Sequence, residues 1–319
     1  MKENKASACK SAGGALTDKA KAFLRDLLAG ICIGVAFIVP GFSGGSVAVM
    51  VGVYEKMINA VTNLFKEMKK SIITLLPIGL GLILGAAALM YPLGYLIAEF
   101  PLPTVSLFVG LAIGGIPSIR GRVKGKTEAN DIIAMSVPLV LTFALVLIPS
   151  GGDVDLMGLS LGGYLLLFLV GILGSCALVM PGISGSMLLL ILGYYRPLIN
   201  LITEHLLRFK DIATSIAVIG ACGAGIAVGF FAISWVMRIM LDRHPKGTYF
   251  AIIGFIIGSL PTVYVSTMRD AGMIGSNLRI IYAPTGFSYY LICALFVVVG
   301  IGASYAFYLL TKKKAVDTE

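Results

Sequence analysis

Apolar residues run in long blocks along this chain, at 24–39, 45–62, 71–98, 104–118, 131–149, 161–180, 186–202, 213–241, 247–264 and 287–310, with polar residues confined to the short gaps between them. A bilayer core of about 30 Å takes roughly 20 helical residues to cross. The blocks have spanning or near-spanning length, so the pattern predicts an all-α integral membrane protein with nearly every segment embedded.

Two of the blocks are interrupted in the same way. Pro40-Gly41-Phe42-Ser43-Gly44 recurs 141 residues on as Pro181-Gly182-Ile183-Ser184-Gly185, and at this offset Gly30 meets Gly171, Gly52 meets Gly193, Tyr54 meets Tyr195 and Asn59 meets Asn200. With three residues inserted the offset becomes 144, and Gly79, Gly81, Gly85, Gly110, Gly114 and Pro117 meet Gly223, Gly225, Gly229, Gly254, Gly258 and Pro261. The chain is read as a duplication: a basic tail over 1–22, a first membrane repeat over 23–150, a second over 161–311 and a short tail over 312–319. The closing segments, 131–149 and 287–310, share less sequence.

Loop charge sets the orientation, because cytoplasmic loops retain Lys and Arg. With the N-terminus inside, the chain passes basic loops at Lys66 to Lys70, at Arg120 to Lys126 and at Arg243 to Lys246, and ends inside at Lys312 to Lys314. Of the 25 basic residues, this path leaves only Arg196, Arg208, Lys210, Arg269 and Arg279 outside. The two repeats then enter from opposite faces, the inverted construction that many secondary transporters use around a central site. The expected architecture is two helical hairpins, read as re-entrant, and about six full transmembrane helices, with both termini cytoplasmic.

Composition agrees: 58% of the residues are hydrophobic and 13% charged, with a mean hydropathy of +0.95, against roughly 25% charged in soluble chains. The net charge of +9 lies in loops beside membrane segments, which argues against nucleic acid. The first twenty residues have no apolar core with a cleavage site and read as a tail, not a signal peptide. Cys9, Cys32, Cys176, Cys222 and Cys293 are scattered and mostly apolar in setting, so no metal or disulfide is assigned to them. His205 and His244 have no metal-ligand spacing, and neither a nucleophile elbow nor a Walker loop is present. No cofactor is expected.

The candidate chemistry lies at the interruptions. Proline at 40 and 181 ends a helix and glycine at 41 and 182 permits a turn. Ser43 or Ser184 then stands where a new half-helix begins, with the amides near Gly44, Gly45 and Ser46, and near Gly185 and Ser186, lacking partners within the helix. Two such termini converging from opposite faces would favour phosphate or carboxylate. The alternative reading is close-packing Gly and Ser turns between helices. Arg196 in the second repeat stands where the first has Glu55. These two could pair across the pseudo-twofold, or Arg196 could bind phosphate while Glu55 takes a coupling proton. Both could instead lie at hairpin ends, reaching for the interface. Arg25 and Asp26 are read as interfacial.

The stretch GVAFIVPGFSGGSVAVMVGVY at 34–54, with VMPGISGSMLLLILGYY at 179–195, resembles the bacterial polyprenyl-phosphate transporters, long grouped as a family of unknown function, and the likeness extends over about 23–310. The resemblance implies recycling of undecaprenyl phosphate, the carrier of cell-wall precursors, from the outer to the cytoplasmic leaflet. It places the family's motifs on Pro40, Gly41, Ser43, Gly44 and Gly45, and on Pro181, Gly182, Ser184, Gly185 and Ser186. Ser46 departs from the more usual threonine but keeps the hydroxyl. The implied partners are the polyprenyl phosphate and membrane lipids, with a homo-oligomer left open. An undecaprenyl-diphosphate phosphatase is the enzyme alternative, but the arginine expected within its serine motif is missing, since Gly185 follows Ser184 directly. A carrier of small soluble anions is the third.

Overall fold

The computed structural model describes residues 3–38, 43–123, 125–148, 151–183, 185–206, 208–273 and 286–316. Among these the regular secondary structure is all helix. In order come α1 (Glu3–Ile38), α2 (Gly44–Met50), α3 (Tyr54–Thr62), α4 (Met68–Glu99), α5 (Pro101–Arg120), α6 (Ala129–Leu147), α7 (Leu161–Val179), α8 (Gly185–Ile191), α9 (Tyr195–Asn200), a π-helical turn (Leu201–Leu206), α10 (Ile212–Arg243), α11 (Pro245–Asp270) and α12 (Phe287–Val316). Among the described residues seven helices are long and apolar enough to cross a membrane: α4, α5, α6, α7, α10, α11 and α12. Six were expected as full spans. The seventh, α7, is the first limb of the second hairpin and qualifies because its 19 residues reach about 28 Å at 1.5 Å per residue.

The duplication is visible in the packing. In the first repeat α1 lies on α4, and in the second α7 lies on α10. The contact is made by glycine in both: a β-carbon on Gly30 would sit 2.2 Å from the Ile78 carbonyl oxygen, and one on Gly171 2.4 Å from that of Cys222. Only hydrogen at these positions lets the backbones approach this closely.

The remaining helices are exchanged between the repeats. α5 packs on α12 and α11 on α6, with Gly110 against the Val297 carbonyl and Gly254 against that of Met135. Gly114 and Gly258 repeat the arrangement one turn on, against Ile301 and Leu139. The partners Met135 and Val297, like Leu139 and Ile301, are 162 residues apart (297 − 135 and 301 − 139). This offset aligns the closing segments, whose sequences alone show little likeness. α5 and α11 meet at the centre and are the most buried of the seven, whereas α12 and the outward faces of the others present apolar side chains to the bilayer.

The ends of the bundle differ in charge. At the end holding the loops around Lys66 to Lys70 and Arg120 to Lys126, called here the basic end, Lys246 of α11 reaches Asp131 of α6 at 2.7 Å and Glu128 at 3.0 Å. Glu128 and Asp131 also cap the start of α6 reciprocally, which satisfies the amides exposed there.

Candidate functional site

Each hairpin begins as a long helix that stops at the Pro-Gly break. After the break α2 and α8 run for only seven residues each, about 10 Å, too short to cross. Both then turn at a glycine with positive φ, Gly52 at +82° and Gly193 at +78°, a conformation that side chains with a β-carbon resist. The turns occupy equivalent positions in the repeat and explain why glycine stands at both.

The hairpins return to opposite ends. At the base of the first, Lys56 of α3 pairs with Asp26 of α1, and the Gly52 turn lies against Arg122 in the loop before α6. At the base of the second, the Gly193 carbonyl accepts from the Val154 amide at 3.1 Å, and the Gly151 amide donates to the Ile191 carbonyl at 3.0 Å, both in the segment after α6. The 19 residues of α6 separate the bases by roughly 28 Å.

Between these ends the two motifs touch. A β-carbon on Gly45 would lie 3.4 Å from the nitrogen and Cα of Pro181, so the start of α2 rests on the break of the second hairpin. The buried Tyr54 hydroxyl donates to the Val179 carbonyl at 2.7 Å. Gly182 turns at φ +84° with its backbone against that of Phe255 in α11. The hairpins thus enter from opposite ends and touch inside the bundle.

Ser43 holds the N-cap position of α2, as expected, but its side chain makes no capping bond. The amides of Ser46 and Val47 turn instead to the Ser43 carbonyl, at 3.0 and 3.4 Å. The hydroxyl is buried and without a hydrogen-bond partner. Gly44, Gly45 and Ser46 are buried beside it. A cavity of ≈ 210 Å³ lies between the hairpins, bounded by Phe37, Gly44, Gly45, Tyr54 and Val179 among others. Its lining is almost wholly apolar, not the wet positive pocket that converging helix termini suggest. Pro40, Gly41 and Ser184 fall outside the described residues, as does the side chain of Ser186; Pro181 is buried, and Gly185 packs near Ala177.

Arg196 and Glu55 do not meet. Arg196 is exposed on α9, at the second hairpin's base, while Glu55 sits at the basic end, where it accepts from the Tyr249 hydroxyl and has Arg122 at 3.9 Å. Pairing across the pseudo-twofold is excluded by their positions at opposite ends of α6. Asp26, at the base of the first hairpin, has a buried carboxylate with Lys56 and Arg25 as partners. Arg238 of α10 ties the end of α3 through Thr62 and Asn63 at 3.1 and 2.8 Å. These partners, together with Tyr54, were missed. Asp26 to Lys56 spans 30 residues and Glu55 to Tyr249 spans 194, so no local spacing connects them. The one available signal was the Tyr54 and Tyr195 match in the repeat.

Fold and site define a multi-pass membrane protein with two broken helical hairpins, inverted with respect to each other and in contact at their motifs. The chain belongs to the VCA0040-like, undecaprenyl phosphate translocase-like family, whose model matches residues 33–279. It is 31% identical over 245 residues to the polyprenyl-phosphate transporter of Staphylococcus aureus, an alignment covering 75% of this chain and 85% of that protein. To the polyprenyl-phosphate transporter of Vibrio cholerae it is 22% identical over 263 residues, 78% of this chain and 80% of the other. No solved structure matches.

Proposed function

We propose that this protein is a flippase that moves undecaprenyl phosphate from the outer to the cytoplasmic leaflet of the plasma membrane, returning the carrier for cell-envelope synthesis. The names of its relatives support the transport of a polyprenyl phosphate. The observation that carries the mechanism is the junction of the two motifs, with the buried, unpartnered Ser43 hydroxyl beside the contact of Gly45 with Pro181.

In this reading the phosphate binds where the hairpins meet. Ser43 supplies a hydroxyl donor, as do Ser46, Ser184 and Ser186, and backbone amides around Gly44, Gly45 and Gly185 add their own. Pro40, Gly41, Pro181 and Gly182 shape the breaks. The closed, apolar junction is the resting packing, and the hairpins part by alternating access to admit the headgroup. Burying an unsatisfied hydroxyl costs about 1–3 kcal/mol, and the phosphate relieves that cost when it binds. Arg196, exposed at the base of the second hairpin, is where a phosphate in the outer leaflet first meets a cation. Glu55 carries the coupling proton at the basic end, taken as cytoplasmic.

The test is reconstitution into vesicles with labelled undecaprenyl phosphate in one leaflet, following its appearance in the other with and without a proton gradient. Translocation that needs the protein and falls in Ser43→Ala is expected. Movement of inorganic phosphate with no effect on the lipid would replace this reading with a small-anion carrier, and release of phosphate from the diphosphate lipid would replace it with a phosphatase.

A further inference from the structure

A second cavity, of ≈ 300 Å³, lies in the gap that α1 and α12 leave between them, floored by α5 and closed on one side by α2. Val35 of α1, Val47 and Met50 of α2, Leu111 of α5 and Phe307 of α12 give it apolar walls. α1 packs chiefly on α4 and α12 on α5, so no packed seam joins α1 to α12 across the gap. Cys32, Ala303 and Phe307, which also line the cavity, are exposed on the bilayer side. The cavity is therefore a trench reachable sideways from the lipid.

Its end is polar. Ser118 lies there, donating to the Gly115 carbonyl at 2.7 Å and the Met50 carbonyl at 3.3 Å, and the Tyr308 hydroxyl comes close to Gly121. One residue further, Arg122 lies over the Gly52 turn that follows α2. An apolar trench within the membrane that ends beside a guanidinium at its surface complements an amphiphile with a single chain and an anionic head. The volume is at the lower limit of the ~300–1,000 Å³ usual for small-ligand sites, enough for the first part of a long chain whose remainder stays in the bilayer.

We infer that this trench is a docking station for the phosphate lipid in the leaflet at the basic end, holding the isoprene units nearest the phosphate, with the head beside Arg122. The inference rests on the transport reading above and adds to it a tail site separate from the Ser43 junction. The wall formed by Val47 and Met50 belongs to α2, the same helix whose first turn touches Pro181. The tail station and the proposed phosphate site therefore share one short helix.

The experiment uses the full chain in nanodiscs and a polyprenyl phosphate carrying a diazirine on the isoprene unit next to the phosphate. Photolysis and peptide mapping are expected to place the label on α1, α2, α5 and α12 around Val35, Val47, Leu111 and Phe307. Unlabelled polyprenyl phosphate should compete and phosphatidylglycerol should not. Ala303→Trp fills the trench from its exposed rim and should lower labelling about tenfold through lost burial of the chain. Val298→Trp, on the same helix but facing lipid outside the trench, should leave labelling unchanged. Equal competition by phosphatidylglycerol, or unchanged labelling in Ala303→Trp, overturns the tail station. If wild-type protein translocates the lipid but the label falls elsewhere, the station alone falls; if wild-type protein neither labels nor translocates, the transport reading falls with it.

Discussion

The Tyr54 hydroxyl of the first hairpin donates to the Val179 carbonyl of the second at 2.7 Å, two residues ahead of Pro181. The helix there is ending, so this carbonyl lacks the amide partner that a continuing helix would supply. One side chain thus joins the base turn of the first hairpin to the break of the second.

Tyr54→Phe should preserve the packing of the buried ring and remove only this bond. We expect a loss of about 1 kcal/mol in detergent unfolding, and a larger fractional loss in translocation than in stability if, as proposed, the two hairpins part during transport. Equal unfolding profiles and transport rates for the two proteins would show that the bond does not couple the hairpins.

Ser43→Ala separates stability from binding by sign. An unpartnered buried hydroxyl is a cost to the resting fold, so its removal should leave thermal stability unchanged or raised. A hydrogen bond to a charged group contributes about 1.5–3 kcal/mol, so polyprenyl phosphate binding should weaken by about tenfold or more. Titration of the lipid against the purified variant measures this, and unaltered affinity would remove Ser43 from the site.

Gly52 and Gly193 share a positive φ but not a neighbourhood. A β-carbon at Gly52 would meet the end of the flexible Arg122 side chain at 2.6 Å, whereas at Gly193 it would meet the Gly152 carbonyl oxygen at 2.1 Å. Both alanine variants carry backbone strain of roughly 1–2 kcal/mol, and Gly193→Ala must also displace backbone. It should be the less stable of the two by thermal denaturation; the reverse order would contradict the described base of the second hairpin.

Lys56→Met leaves the buried Asp26 carboxylate with Arg25 as its remaining cationic partner. Breaking a fully buried pair costs about 3–5 kcal/mol; here the loss should be nearer 2 kcal/mol, since Lys56 is partly exposed and screening weakens such a pair. Adding Asp26→Asn should recover most of it, as measured by unfolding of the single and double variants. A double variant no better than Lys56→Met would mean that the pair does not hold the hairpin base.

Glu55→Gln tests the coupling role. It keeps a hydrogen-bond acceptor for Tyr249 but cannot release a proton, so translocation should persist while losing its response to an imposed proton gradient. Retention of the full response would move the coupling elsewhere.

The apolar blocks, the duplicated Pro-Gly-x-Ser-Gly element and the matched glycines were legible in the sequence because each is a local requirement: bilayer thickness sets block length, proline and glycine end helices wherever they stand, and close helix contact demands a missing side chain. The bias of Lys and Arg toward one set of loops gave the opposed entry of the two halves for the same reason. The equivalence of α6 and α12 was not legible, since their lipid-facing surfaces accept almost any apolar residue and only the carbonyls beneath Gly110 and Gly254 retain the register. Tertiary structure alone decided which groups meet. It brought Gly45 onto Pro181 and Tyr54 onto Val179, gave Glu55 to Arg122 and Tyr249, and left Arg196 at the far end of the bundle. Those pairings are made by helices crossing far apart in the chain, and a charge in a sequence carries no record of which end of a neighbouring helix it will reach.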